Sequence, residues 1–210
     1  MRMRKMTDQI RFALGAALLL LVAGCATDFG GGVGHFTTVV VDAGHGGSDT
    51  GARAVSGPPE KILALDTARR LAGVLRSRGF RVIETRQTGD FVTLGSRAAI
   101  SNRAGDAIFV SIHYNWARRS GPRGIEIYYY NPRSRVLAAN ILKQVLRAYP
   151  TRNRGVKRNI YYVLHHNRKP AVLCELGFLS NPKDNRYAQN PECRQRLVER
   201  IADGIVASRP

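Results

Sequence analysis

Two histidines and two glutamates occupy positions from which they could hold a metal ion and move a proton. His45 lies among glycines after the segment TTVVVD, Glu60 precedes an apolar-periodic segment, and His113 ends the segment AIFVSIH. A catalytic zinc ion takes three nitrogen or oxygen ligands and keeps a fourth position open for water, so these three residues offer a complete set. Glu175 directly follows the apolar residues AVLC. Because an unpaired carboxylate is costly to bury, Glu175 is expected to be paired or functional, and a general base beside a zinc-activated water is its natural role.

Each of these side chains also has a simpler explanation. His45 alone is an ordinary loop histidine, Glu60 suits the first turn of a helix, and His113 could be a core histidine whose hydrogen bonds are satisfied. Spacing alone therefore leaves both the metal site and the purely structural interpretation open.

Alternating strand and helix patterns would bring the four residues to one edge of a sheet. β-Branched or apolar runs predict strands, and residues with helical spacing predict helices. The fold class predicted is α/β, a single three-layer domain with a mainly parallel mixed sheet and helices on both faces. Ligands of such sheets gather at the carboxyl ends of the strands. The predicted strands cover residues 37–42, 80–85, 107–113, 124–130 and 171–176, and the predicted helices cover 62–75, 94–103, 134–148 and 192–207.

The N-terminal segment is typical of an exported lipoprotein. Basic residues precede an apolar run over residues 12–23, and the run ends in VAGC, which resembles a lipobox with Cys25 as the lipidated residue. We therefore predict a signal peptide at 1–24, a flexible tether at 25–36 and a folded domain at 37–208. Ala26 follows the cysteine where an Asp would signal retention in the inner membrane, which favours the periplasmic face of the outer membrane. An ordinary cleavage site or a short buried helix is the alternative.

Charge and cysteine content agree with an envelope location. The net charge of +18 attracts polyanions. A nucleic-acid partner is not expected, because an exported chain seldom meets one and no recognised binding motif is present. A disulfide between Cys174 and Cys193 is permitted outside the cytoplasm, and the sequence leaves this pairing open.

Several blocks occur in an order that resembles the zinc-dependent N-acetylmuramoyl-L-alanine amidases of the type-3 family. They are VVVDAGHGGSDTGA at 39–52, Glu60-Lys61, Thr85-Arg86, SIHYN at 111–115, RGVK at 154–157 and PAVLCELGFLSNP at 170–182. The resemblance implies that His45, Glu60 and His113 bind zinc. It implies that Glu175 is catalytic, and that the substrate is peptidoglycan, cut between the lactyl group of N-acetylmuramic acid and L-alanine.

The resemblance leaves some roles open. Asn115 is expected either to hold substrate or the surroundings of the metal, or simply to form a turn. Asp42 and Asp49 are expected to order the glycine-rich loop, and His165-His166 to be either an auxiliary contact or exposed loop residues. Some members of the family that the chain resembles carry an inserted autoinhibitory helix near the active site. Residues 124–150 leave no room for such a helix, so we predict a cleft that is open to substrate.

The expected partners are peptidoglycan and, through the lipid anchor, a membrane, with a protein activator left open. Two alternatives use the same fold: a non-catalytic wall-binding or regulatory lipoprotein, and a zinc peptidase that cuts within the stem peptide.

Overall fold

The computed structural model describes residues 33–210. The predicted signal peptide and Cys25 lie outside the described residues. The strands are β1 (Thr38–Ala43), β2 (Arg81–Glu84), β3 (Ala107–Asn115), β4 (Ile125–Tyr129), β5 (Asn153–Arg158) and β6 (Ala171–Phe178). The helices are α1 (Glu60–Ser77), α2 (Leu94–Arg103), α3 (Arg135–Val145), α4 (Tyr162–His165), α5 (Pro182–Gln189) and α6 (Pro191–Val206).

The six strands form one mixed sheet in the order β2-β1-β3-β6-β4-β5. Every neighbouring pair is parallel except β4 and β6, which are antiparallel. The predicted α/β domain with a mainly parallel mixed sheet is therefore confirmed. The central pair β3 and β6 matters most for function, because it brings the ends of two apolar strands side by side.

Successive apolar side chains of a strand point alternately to the two faces of the sheet, and each face packs against a layer of helices. Val39 and Val41 belong to the larger core, with α1, α3 and α6, whereas Val40 belongs to a smaller core that contains residues of α4. Successive side chains of a strand point to opposite faces, so helices cover both faces of the sheet. The three-layer arrangement is thus a direct consequence of strands that are apolar at consecutive positions.

One strand and two short α-helices were not predicted, because β5 and α5 are mostly polar and α4 is too short to show a helical spacing. Strand β5 has the sequence NRGVKR and lies at the edge of the sheet, where charged residues remain partly exposed. Helix α5 is mostly polar, with the sequence PKDNRYAQ, and begins at an Asn181 cap followed by Pro182. Helix α4 has only four residues.

The described part of the predicted tether contains two buried residues. Val33 and Phe36 join the larger core, and the Phe36 ring stacks on Phe80 with centroids 5.9 Å apart. Apolar packing against the sheet therefore begins before Thr37. Among the described residues, no helix is both long and apolar enough to cross a membrane.

Cys174 and Cys193 are both buried and both free, so the disulfide left open by the sequence is not formed.

Candidate metal centre

The loop after β1 is shaped by backbone conformation and by two buried arginines. His45 has a left-handed φ of 61°, and it follows Gly44, where an added Cβ would lie 2.3 Å from Cε1 of His113. Only glycine at position 44 leaves space for that imidazole. Arg86 donates from Nη2 to the Gly44 carbonyl at 2.8 Å, and Arg97 from Nη2 to the His45 carbonyl at 2.6 Å. The loop is thus held against the sheet by hydrogen bonds to its backbone.

His45, Glu60 and His113 converge from three different elements. His45 Nε2 lies 3.0 Å from Glu60 Oε2, and His113 Nδ1 lies 3.0 Å from Glu60 Oε1. One ligand atom from each of the three residues lies within 4.8 Å of the others. Two imidazoles and one carboxylate are nitrogen and oxygen donors of the kind that zinc prefers, so this donor set fits the ion.

Backbone and side-chain contacts fix the orientation of this donor set. The Glu60 oxygens accept backbone N–H groups from Ala52 at 2.8 Å and Tyr114 at 2.9 Å. Glu60 is therefore tied to two neighbouring segments rather than capping its own helix. His45 Nδ1 is bonded to Asp49 Oδ2 at 2.8 Å, which leaves Nε2 directed at Glu60.

Burial and close ionic contact shift the titration of the three residues in the absence of a metal. Burial favours the neutral form of Glu60, yet hydrogen bonds from His113 and His45 outweigh it and hold the Glu60 pKa well below its usual range. Burial also acts against a charged His113, but its bond with Glu60 raises the His113 pKa to about 9. The pKa of His45 is raised as well, where burial is again outweighed by Glu60. A carboxylate that attracts two protonated imidazoles is a site at which a cation can replace protons.

Asp42 and Asp49 take the ordering roles expected of them. Asp42 is 1% exposed and accepts from Thr85 Oγ1 at 2.6 Å, Ser111 Oγ at 2.6 Å and Arg97 Nη1 at 2.7 Å. With these donors Asp42 links β1 to β3, to α2 and to the residue that follows β2. Asp49 accepts the Gly51 N–H at 3.0 Å as well as holding His45.

Glu175 lies in the same cleft as the three convergent residues, and it has no partner for one carboxylate oxygen. It pairs in register with His113 across β3 and β6. Its Oε2 is buried and has no hydrogen-bond partner among the described residues. Burial raises the Glu175 pKa to about 7, against the opposing influence of the His113 charge. A carboxyl group that gains and loses a proton near neutral pH is suited to general acid–base chemistry.

Glu126 of β4 was not among the predicted site residues, and it faces Glu175 in the antiparallel pairing of β4 and β6. Glu126 is 2% exposed and accepts from Tyr128 Oη at 3.0 Å, from Arg154 Nε at 3.0 Å and from Lys157 Nζ. Burial would raise its pKa, but the bonds from Lys157 and Arg154 outweigh burial and lower it. The one available signal was a charged residue at a buried position of the strand segment GIEIYYY.

Asn115 lines the cleft with both ends of its amide engaged. Its Nδ2 donates to Glu126 Oε1 at 2.7 Å, and its Oδ1 accepts the Trp116 N–H at 2.8 Å. The second contact is of the turn-forming kind, whereas the first ties Asn115 to the Glu126 cluster. Both expected roles are therefore compatible with its position.

His165 and His166 do not join the metal cluster. Both are exposed, at the end of α4 and just after it, and their rings pack against Tyr130 and Tyr162 respectively. Neither histidine lines the cleft.

The cleft around these residues has a volume of about 810 Å³. Its walls come from the loop after β1, the segment before α2, the ends of β3 and β6, and α4. None of residues 117–160 lines it. The segment 124–150 holds β4, a short 3₁₀ turn and α3, so it contains no inserted helix that could cover the cleft.

A family model of N-acetylmuramoyl-L-alanine amidases matches residues 39–207, which include every residue of the candidate metal centre. The chain belongs to this amidase family. It is 36% identical over 170 residues to the probable cell wall amidase LytH of Staphylococcus aureus, covering 80% of this chain and 57% of LytH. It is also 36% identical over 172 residues to YqiI of Bacillus subtilis, covering 80% of this chain and 82% of YqiI.

Among solved structures, the chain is similar to the catalytic domain of the amidase CwlV from Paenibacillus polymyxa var. colistinus. The TM-score is 0.79 at 32% identity, covering 82% of this chain and 97% of that domain. The similarity thus spans nearly the whole of a family catalytic domain.

Proposed function

We propose that the chain is a zinc-dependent N-acetylmuramoyl-L-alanine amidase. Its substrate would be peptidoglycan, hydrolysed at the amide between the lactyl group of N-acetylmuramic acid and L-alanine of the stem peptide. The observation that carries the proposal is the convergence of His45, Glu60 and His113 beside the unpartnered oxygen of Glu175. Family membership supports amide hydrolysis in the cell wall over other uses of such a centre.

The residues divide the chemistry between holding the ion and moving the proton. His45, Glu60 and His113 would hold zinc, which when bound acts as a Lewis acid and lowers the pKa of water. The Glu175 carboxylate accepts a proton from the attacking water and returns it to the leaving nitrogen. The amide C–N bond breaks as the water oxygen bonds to carbon, giving a lactyl carboxylate and the amine of L-alanine.

Asn115 is proposed to assist by orienting the substrate. Its Oδ1 and one Nδ2 hydrogen are bonded to Trp116 and Glu126, so the other Nδ2 hydrogen remains available to a substrate carbonyl. An amide held at both ends loses little conformational freedom when substrate binds, which favours this role.

Product analysis on purified sacculi tests the proposal. The zinc-loaded chain should release intact stem peptides with free L-alanine amines, and a chelator should stop their release. Glu175→Gln should retain one zinc per chain and release nothing, whereas the exposed control Glu192→Gln should match the parent. Shortened stem peptides would identify a peptidase acting within the stem. Sacculus binding without any product, or full activity of Glu175→Gln, would contradict the mechanism.

A lipid-anchored location in the envelope is a second part of the proposal. The lipobox-like VAGC and the basic, apolar segment before it support cleavage after residue 24 and lipidation of Cys25. Ala26 supports the outer membrane as the destination. Metabolic labelling with a fatty acid should mark the parent chain and not Cys25→Ser, and equal labelling of both would refute the anchor.

A further inference from the structure

The exposed aromatic side chains of the described residues are concentrated at one place. Phe91, Trp116 and Tyr162 are 56%, 51% and 44% exposed, and they are the three exposed aromatic residues in 33–210. All three line the cleft that holds the metal centre. Exposed apolar groups gathered around a concave site are typical of ligand binding rather than of chance exposure.

The three rings come from separate elements, so no single helix or strand pattern explains their meeting. Phe91 lies before α2, Trp116 directly after β3, and Tyr162 begins α4. Three different segments of the chain therefore bring one ring each to the cleft. A shared function explains this convergence better than local structure does.

The three aromatic residues have contacts at the Cβ of Phe91, at the backbone of Trp116 and at the ring of Tyr162. A Cβ added at Gly47 would lie 2.7 Å from the Phe91 Cβ, so Phe91 packs closely against the loop that carries His45. The Trp116 backbone N–H is bonded to Asn115. Tyr162 stacks on His166 with centroids 3.9 Å apart and an interplanar angle of 16°. A ring that is already stacked on one face, as Tyr162 is, loses little entropy when a ligand covers its other face.

We propose that Phe91, Trp116 and Tyr162 form an aromatic rim that binds sugar rings of the peptidoglycan glycan strand by stacking. This inference rests on the proposed function. A pyranose ring has an apolar C–H face, which an aromatic face can cover, and a polar edge that stays in water. The lactyl group joins the scissile carbonyl directly to a sugar, so a carbonyl at the metal centre brings a sugar ring into the cleft.

Charge favours the glycan over the stem peptide as the occupant of the rim. The cation–π pairs of the described residues involve Phe36, Phe80, Tyr128, Tyr130 and Phe178, so the three rim rings carry no cation. A stem peptide has carboxylates, which such rings do not recognise. Arg53, an exposed cation at the same cleft, suits a stem-peptide carboxylate instead.

Binding at the rim can be measured by intrinsic fluorescence, because Trp116 is the single tryptophan of the chain. We would titrate the zinc-loaded Glu175→Gln chain with peptide-free glycan strands, with chitotetraose and with free stem peptide. Stacking on Trp116 should give a saturable fluorescence change with both sugars and none with the peptide. A response to stem peptide alone, or to none of the probes, would overturn the proposal.

Variants separate the rim from general effects on folding. Phe91→Ala and Tyr162→Ala, in which Trp116 still reports, should weaken glycan binding about tenfold, the loss expected for a well-packed aromatic contact. In the parent background they should raise KM for sacculi more than they lower kcat. Tyr162→Phe keeps the ring and should bind normally. Ile160→Ala is the matched control, since Ile160 is 73% exposed and does not line the cleft.

The two levels of the proposal can fail independently. If sugars bind but no amide is cleaved, the proposed function fails and the rim stands. If amides are cleaved while sugars leave the fluorescence unchanged and the rim variants keep the parent KM, the rim is wrong and the amidase stands.

Discussion

Ionisation of Glu175 and ionisation of Glu126 are expected to have opposite effects on the free energy of unfolding, although the two residues pair across β6 and β4. Glu175 has an unpartnered buried oxygen and a pKa raised by burial to about 7, whereas bonds from Lys157 and Arg154 outweigh burial and lower the Glu126 pKa. A raised carboxyl pKa means that ionisation costs the folded state free energy. A lowered pKa means that ionisation stabilises it.

The free-energy cost of ionising Glu175 in the folded chain follows from its pKa. Between an ordinary value of 4.5 and about 7 in the folded chain, the cost of ionisation begins as pH rises past 4.5 and is complete above about 7. Replacing Glu175 by Gln removes that cost. In the zinc-free chain the variant should be nearly as stable as the parent at about pH 4 and about 3 kcal/mol more stable at about pH 8.

Glu126→Gln is the matched control with the opposite sign. Its stabilising contribution is present above the unfolded carboxyl pKa and is lost as pH falls through the lowered folded value. The variant should therefore be less stable than the parent at about pH 8, with a smaller difference in acid.

Urea unfolding of both zinc-free variants at the two pH values measures these effects. A Glu175→Gln chain that gains no stability between acid and about pH 8 would refute the claim that its carboxylate is ionised at a cost. A Glu126→Gln chain that is more stable than the parent at about pH 8 would refute the separate claim that the ionised Glu126 carboxylate stabilises the fold.

Three further perturbations test the surroundings of the site. Gly44→Ala should weaken zinc binding at least about tenfold, because its Cβ would lie 2.3 Å from the His113 ring, and competition with a chromophoric chelator measures this. Unchanged affinity would show that the ring can move aside freely. Arg97→Met should cost about 3–5 kcal/mol in urea unfolding, since it leaves the buried Asp42 carboxylate without its cation; a loss below about 1 kcal/mol would contradict that pairing. Burial raises the pKa of the Cys174 thiol, so it should react with an aromatic disulfide only after unfolding. Rapid reaction in the native chain would show that the thiol is accessible.

The sequence was sufficient for the fold where apolar residues were continuous. Strands β1, β3 and β6 were predicted because each has an unbroken apolar run, and parallel strands buried on both faces require such runs. Strand β5 was not predicted, because an edge strand can carry the charged sequence NRGVKR and needs no apolar run. Its basic residues are nevertheless what neutralises Glu126.

The convergence of the candidate metal ligands was predictable because strand ends in a parallel sheet meet at one edge. His45 follows β1, His113 lies near the end of the adjacent strand β3, and Glu60 begins the helix that packs beside these strands. The Glu126 cluster was not predictable in the same way. It depends on β4 running antiparallel to β6, and the strand pattern alone gives no information about direction.

The acidic residues near the carboxyl ends of the strands differ in their partners, and this difference explains why Glu175 is suited to proton transfer. Asp42 is paired with a buried arginine, Glu60 with two imidazoles, and Glu126 with two basic side chains. In each case a positively charged or protonatable partner stabilises the carboxylate. Glu175 alone keeps a buried oxygen without a hydrogen-bond partner among the described residues, and its pKa is raised by burial. A substitution that gave Glu175 a cation of its own should therefore lower its pKa and reduce its ability to return a proton to the leaving nitrogen, even with the metal ligands intact.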